Sequence, residues 1–214
     1  MSRSDRLEAV RRAFDARAAT YDGSRMHRDL AVAVAAYADL SAVRDVLDVA
    51  TGTGLVLRAL RERREELRLT GTDISPGMLE VARDSLPDAT WVEADAAALP
   101  IADRSVDLIT CVTALHAIPD APAALAEWRR VLRPGGYALT ATFVEYRGAA
   151  PAPQRIPYPS DHVPFSSLER LQRTAETAGF AIARSTNWID GDDELLIAKW
   201  TPIAAVSRAA DGSV

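Results

Sequence analysis

Residues 46–54 read Val46-Leu-Asp-Val-Ala-Thr-Gly-Thr-Gly54. Apolar Val46, Leu47 and Val49 make a short buried strand that ends in a glycine-containing turn, and an amphipathic segment follows. The order is therefore strand, tight loop, helix. Gly52 and Gly54 admit backbone angles closed to other residues and, lacking a Cβ, let a ligand approach the main chain. The helix begins near Gly54, so its free N–H groups and positive dipole end face the same crevice. Such a loop suits a nucleotide-like or carboxylate-bearing cofactor.

The dinucleotide fingerprint G-x-G-x-x-G needs a third glycine where helix and strand pack closely. Counted from Gly52 that position is Leu57, so the fingerprint fails. Counted back from Gly54 the pattern is Asp48-x-Ala50-x-Gly52-x-Gly54. Leu69-Thr-Gly-Thr-Asp73 reads as a second strand ending in an acid about 20 residues on, where a carboxylate accepts hydrogen bonds from ribose hydroxyls. The same acid precedes Ser75-Pro76, a helix start in its own right. Trp91–Ala96 is a third strand with Asp95 just past its end, and Ser105–Cys111 a fourth. Leu132-Arg-Pro-Gly-Gly136 is a helix stop and turn before a fifth strand at Tyr137–Thr142.

Taken in this order, these landmarks resemble the class I S-adenosylmethionine-dependent methyltransferases, whose loop is D/E-x-G-x-G-x-G; Ala50 stands at the first glycine. The resemblance covers residues 45–143 well and the flanks more loosely. It implies an α/β, Rossmann-like doubly wound fold: a seven-stranded, mostly parallel sheet with a C-terminal antiparallel hairpin and an N-terminal helical lid. It implies S-adenosylmethionine as cofactor and S-adenosylhomocysteine as product. Asp48, Ala50, Gly52 and Gly54 would line the methionine end, Asp73 and Ile74 the ribose and adenine, and Asp95 and Ala96 the adenine edge. Asp48 would also fix the loop through backbone hydrogen bonds. The stretch Phe14–Asp22 resembles the N-terminal helix of small-molecule and quinone methyltransferases, in which the tyrosine, here Tyr21, covers the cofactor. Phe14 and Tyr21 read equally well as a hydrophobic staple for a docking helix.

A chain of 214 residues is enough for one substantial domain. At 48% hydrophobic and 26% charged it has an ordinary globular composition. A net charge of −5 gives no broad footprint for nucleic acid. The single cysteine, Cys111, excludes an internal disulfide or a Cys-rich metal site and reads as a buried strand residue. Three scattered histidines make no metal site. No apolar run reaches transmembrane length, and the first residues lack a signal-peptide core, so a cytoplasmic protein without membrane association is expected.

Strands and helices alternate from residue 45 to about 143, the pattern of parallel strands with crossover helices. Residues 54–66 form an amphipathic helix whose Arg58, Arg61, Arg63 and Arg64 read as a solvated face paired with Glu62, Glu65 and Glu66. Residues 121–132 repeat the pattern, with Trp128 in the core. The expected organisation is one domain over 1–214. It comprises a lid of two helices (1–40), the cofactor core (41–143), a loop (144–165), a helix and hairpin (166–202) and a frayed tail (203–214). Residues 143–165 hold five prolines with Tyr146, Tyr158, His162 and Phe165 and read as an extended loop, neither strand nor helix. In the family this connection commonly shapes the acceptor pocket, and a long loop carrying aromatics suits a substrate lid.

The resemblance implies methyl transfer from the sulfonium to a small-molecule acceptor by proximity and in-line alignment, in bacterial biosynthesis or secondary metabolism. A base is optional. His116, past the carboxyl end of the fourth strand, is the candidate, and His162 in the proline-rich loop a weaker one. His27 is assigned no role. Two alternatives stay open: an S-adenosylmethionine-binding enzyme of non-methylating chemistry, and a nonenzymatic cofactor-binding scaffold. A homodimer formed through the lid or the hairpin is also open. The acceptor, and whether O, N, C or S is methylated, are not legible.

Overall fold

The computed structural model describes residues 1–144 and 158–204. Among these, seven strands form one sheet: β1 (Asp45–Val49), β2 (Arg68–Asp73), β3 (Thr90–Glu93), β4 (Val106–Val112), β5 (Leu132–Phe143), β6 (Phe180–Asp190) and β7 (Asp193–Pro202). Their order is β3-β2-β1-β4-β5-β7-β6. The first five run parallel, while β7 pairs antiparallel with both β5 and β6. The strand order reverses between β1 and β4, the switch point where open α/β sheets bind ligands outside the carboxyl ends.

Period-two alternation sorts the core onto two faces. Val46, Leu108, Leu139, Ala141, Leu195 and Ile197 pack with helices α3 (Arg25–Tyr37) and α4 (Leu55–Arg63). Their neighbours Leu47, Ile109, Ala138, Leu196 and Ala198 pack on the other face with α6 (Ala121–Val131) and α7 (Leu168–Thr177). There Trp200 meets Trp128 and Phe180 edge-on, with ring centroids 6.1 and 6.0 Å apart. Its Nε1 donates to Thr140 Oγ1 at 2.8 Å, so the buried indole keeps a partner. Cys111 is fully buried among these residues and its thiol is raised by burial.

The N-terminal region differs from its expected two helices. A short helix α2 (Ala18–Tyr21) stands between α1 (Arg3–Asp15) and α3, and carries Tyr21. Helix α5 (Pro76–Ser85) starts at the Ser75 cap. The turn expected at Leu132–Gly136 is present: Arg133–Gly136 have no partner between the pairs Val106↔Leu132 and Leu108↔Tyr137, and Gly135 has φ 84°, although β5 formally begins earlier, at Leu132. Two further readings are corrected. The loop before α7 is not wholly extended, because Val163–Phe165 forms a 3-10 turn. The α4 arginines do meet solvent, with Arg63 exposed and the others partly so, but their main partners are not the expected glutamates. Arg63 donates to the Ala35 and Ala38 carbonyls, and Arg64 to those of Leu40 and Val43. Arg61 reaches the Leu67 carbonyl at 3.0 Å and Asp88 at 3.0 Å. A guanidinium offers five donors, and the open carbonyls around the α3 C-terminus recruit them more effectively than mobile surface glutamates do. Of the expected pairs, Arg64–Glu66 is present at 3.7 Å. No helix among the described residues is long and apolar enough to cross a membrane.

Trp91 explains two glycines. A Cβ on Gly71 would meet its ring at 2.4 and 2.6 Å and Thr51 Cγ2 at 2.9 Å; a Cβ on Gly54 would meet the ring at 2.6 Å. The indole cannot easily retreat, since its Nε1 is tied to the Leu86 carbonyl at 3.1 Å. Gly71→Ala should therefore overpack this contact and lower stability by roughly 1–3 kcal/mol, measured by urea unfolding. An unchanged midpoint would show that the ring moves freely.

Candidate active site

The carboxyl ends of β1 to β4 surround a cleft with about 670 Å³ of empty space, roofed by the N-terminal helices. The β1 loop contributes Ala50 and Gly52, β2 contributes Asp73 and Ile74, and the segment after β3 contributes Ala94, Asp95 and Ala96. Leu7, Val10, Phe14 and Tyr21 close it from above. A second chamber of about 370 Å³ lies at the Asp48 end, and Tyr21, Ala50, Gly52, Val112 and Thr113 line both. Tyr21 thus stands at the junction. Burial raises its pKa above the ordinary value, with the neighbouring Thr113 side chain working the other way.

Asp48 is 2% exposed and accepts hydrogen bonds from Thr51 Oγ1 and Thr110 Oγ1, both at 2.6 Å. It holds the loop through side-chain hydroxyls rather than through the expected backbone N–H groups. Burial dominates and pushes its pKa up to about 7. Asp73 accepts from the Gly52 N–H at 2.8 Å and the Ser75 N–H at 2.9 Å. Burial raises it to about 6, with these backbone bonds working the other way. It therefore anchors the glycine loop and also lines the cleft.

The glycine loop is not uniform. Ala50, at the family's first glycine, has φ 54°, where an L-residue is strained. Gly52 has φ 55°, and a Cβ there would meet only Met78 Sδ at 4.0 Å, so the position opens into the cleft. Gly54 is different. It caps α4 at φ 79°, lines neither chamber among the described residues, and is excluded from bearing a side chain by Trp91 behind it. Thr113, at the end of β4, also has positive φ at 53°.

Asp95 lines the cleft, but its carboxylate is already engaged by the Arg3 guanidinium and by the Ala97 N–H at 3.0 Å. That ion pair is one of three fastenings of the lid. Asp15 accepts from Ser75 Oγ at 2.6 Å and the Gly77 N–H at 3.0 Å, at the N-terminus of α5. Asp22 accepts from Thr53 Oγ1 and Arg58 Nη2 on the opposite side of the glycine loop. Sequence reasoning missed all three, because each joins residues distant in the chain. It also missed His27, whose ring stacks on Tyr21 with centroids 4.7 Å apart and lines the smaller chamber. Burial lowers His27 to about 4. The available signal was Ser24 three residues earlier, which caps α3 and holds His27 Nδ1 at 2.8 Å.

His116 and His162 come together. Their rings stack with centroids 4.0 Å apart at 17°, with Phe143 edge-on to both. Asp161 N–H donates to the His116 carbonyl at 2.8 Å, fastening the loop to the 3-10 turn Leu115–Ala117. Burial, with His162 alongside, lowers His116 to about 3; burial also lowers His162. His116 lines a neighbouring groove rather than the cleft. Tyr158 packs on Phe14 at 5.3 Å. Phe165 is 4% exposed, belongs to the core beneath the groove, and reaches the groove with one edge. Tyr146 lies outside the described residues. No cluster of metal ligands occurs among the described residues.

Ala50→Gly should relieve the strained φ and raise stability by about 0.5–1 kcal/mol in thermal unfolding, despite the added freedom of the unfolded chain. A loss would mean that the Ala50 methyl packs usefully. Asp48 and Asp73 have folded pKa values of about 7 and 6, above the ordinary carboxylate value. The folded state then binds more protons than the unfolded chain between roughly pH 4 and 7, so their contribution is full below that window and is lost as pH rises through it. Asp48→Asn should flatten this decline in a pH series of denaturation midpoints. A decline that is just as steep would assign it to other groups.

Comparison with known proteins agrees with this geometry. The methyltransferase domain family matches residues 47–140. A malonyl-[acyl-carrier protein] O-methyltransferase of Hahella chejuensis is 35% identical over 139 residues, 63% of this chain and 50% of that protein. A demethylmenaquinone methyltransferase of Deinococcus radiodurans is 37% identical over 144 residues, 63% of this chain and 60% of that protein. The aligned stretch thus spans about half the length of these curated relatives. Among solved structures, the putative methyltransferase in complex with the Trm112 methyltransferase activator of Haloferax volcanii superposes with a TM-score of 0.75 at 25% identity, over 92% of this chain and 99% of that one. Residues 47–140, which carry the glycine loop, Asp73 and Asp95, thus match the methyltransferase domain family, and the chain is similar to methyltransferases over that core.

Proposed function

We propose that this protein transfers a methyl group from S-adenosylmethionine to a small-molecule acceptor, in the cytoplasm and in bacterial biosynthesis. One observation carries the choice of cofactor. The two chambers are lined by Asp48, Asp73 and Asp95, and by no lysine or arginine among the described residues. A pyrophosphate would find no cation there, whereas a ligand bearing a sulfonium and an ammonium finds acids. The open space beside Gly52 gives the main-chain approach that such a ligand needs.

When bound, the cofactor supplies an electrophilic methyl on its sulfonium. The chain supplies the rest. Asp73 and Ile74 would hold the ribose and adenine, Ala96 and Asp95 the adenine edge, and Ala50 and Gly52 the methionine end, since all of them line the cleft. Asp48 holds the loop that presents them. Tyr21, between the chambers, with Phe14 and the helices behind them, excludes water and fixes the position of the reacting groups. His116, neutral at physiological pH and lowered to about 3, is a weak base. We assign it and His162 to positioning the acceptor rather than to removing its proton. Rate then comes from alignment.

The test is titration calorimetry with S-adenosylhomocysteine, with NAD as control. S-adenosylhomocysteine should bind and NAD should not. Asp73→Ala should weaken binding by about 10- to 100-fold, the equivalent of losing hydrogen bonds to a charged group. A folded protein that binds NAD, or that binds neither ligand, would overturn the assignment.

A further inference from the structure

Beside the cofactor cleft runs a larger groove of about 1680 Å³, and the two share Ile118 and Pro119. One wall is a single face of α6: Ala121, Pro122, Leu125, Ala126 and Arg129, spaced i, i+1, i+4, i+5 and i+8. Facing it, Arg173, Thr174, Thr177 and Ala178 repeat the same spacing along α7 and its cap. Eight residues of helix at 1.5 Å each make the groove about 12 Å long. Leu115 and Phe165, both buried, form its floor, and His116 stands at its head. Pro122 and Ala126 are exposed along the rim, so this apolar strip faces solvent.

The charge of the groove is opposite to that of the protein. Arg6, Arg129 and Arg173 line it against Asp161 alone, in a chain of net charge −5. Arg173 is paired with Glu169 at 2.7 Å, and Arg129 donates to the Gly179 carbonyl. Arg6 has no carboxylate within ion-pair distance among the described residues, and its Nε is buried without a hydrogen-bond partner. A buried guanidinium nitrogen without a partner is costly unless a ligand supplies one. Arg6 precedes Leu7, which lines the cofactor cleft, so this cation sits where groove and cleft meet.

We propose that the groove between α6 and α7 binds the hydrocarbon chain of a linear, fatty-acid-like carboxylate, with Arg6 as counter-ion to its acid, and that this amphiphile is the acceptor class. The assignment as acceptor rests on the methyltransferase reading; the binding itself does not. A groove two helical turns long, with apolar side chains along its α6 wall and its floor, accommodates an alkyl tail. Ile118 and Pro119, which line both groove and cleft, set this end of the groove beside the cofactor site, so that the acid end of a bound chain lies next to it, which a docked partner protein would not need. A neutral His116 at the head suits an acceptor that is ionised before it arrives.

Calorimetry at neutral pH tests this with decanoate, butanoate and decanol, each below its aggregation limit, and with S-adenosylhomocysteine titrated in parallel. Decanoate should bind, and butanoate at least tenfold more weakly. Ala126→Trp, which fills the groove, should weaken decanoate at least tenfold; Thr177→Trp on the facing helix serves if that variant does not fold. Arg6→Gln should weaken decanoate about tenfold and leave decanol unchanged. All variants should retain S-adenosylhomocysteine affinity. Absence of decanoate binding, or binding indifferent to both groove-filling variants, overturns the groove. Equal loss of decanoate and decanol in Arg6→Gln overturns the role of the cation. Either result, with S-adenosylhomocysteine still bound, leaves the cofactor assignment standing, whereas loss of that ligand in the unmodified protein removes the assignment and not the groove.

Discussion

Everything at the carboxyl end of the sheet depends on how Asp48 is buried. Its two oxygens take the hydroxyls of Thr51, in its own loop, and of Thr110, on the neighbouring strand β4. The carboxylate therefore joins the two parallel strands between which the strand order reverses. The loop is stitched on its other side as well, because the Thr51 N–H donates to the Thr72 carbonyl and the Gly52 N–H to Asp73. With both flanks held, the chain has no extended route out of β1. It turns through positive φ at Ala50 and Gly52, and Thr113 does the same at the end of β4. Strain at two adjacent strand ends persists because the surrounding bonds over-determine it, and those residues line the cleft.

The same economy governs the lid. Three carboxylates or carboxylate partners do the fastening: Arg3 on Asp95, Asp15 on the start of α5, and Asp22 on Thr53 and Arg58. All three anchor points lie within or beside segments that line the cofactor cleft: Asp95 itself, Ser75 next to Ile74, and Thr53 next to Gly52. Lid and site are consequently coupled. A ligand that competes for Asp95 loosens the Arg3 contact, while the Asp15 and Asp22 contacts still hold the helices in place.

The cofactor core was legible because its signals are local. The strand–glycine–helix unit at 46–54, the acid ending β2 and the alternation from residue 45 to 143 depend on backbone preferences and period, which a few consecutive residues display. Gly54 shows where such reading falls short. Sequence assigned it to the ligand, but the ring of Trp91, thirty-seven residues on, is what forbids a side chain there. The α4 arginines make the same point. Nearby glutamates were the visible partners, and the actual ones are carbonyls that become available only where α3 ends against α4.

The sequence by itself determined the doubly wound class, the order of its elements, the cofactor-facing loop and the two acids at the ends of β1 and β2. These follow from hydrophobic period and glycine placement, which act over a few residues. Only the tertiary structure decided that Tyr21 and Thr113 line the same two chambers, that His27 joins the site, that His116 and His162 stack, and that α6 and α7 leave a groove between them. Each of these is a contact between segments far apart in the chain, set by how the helices pack on the two faces of the sheet. No run of consecutive residues carries that information.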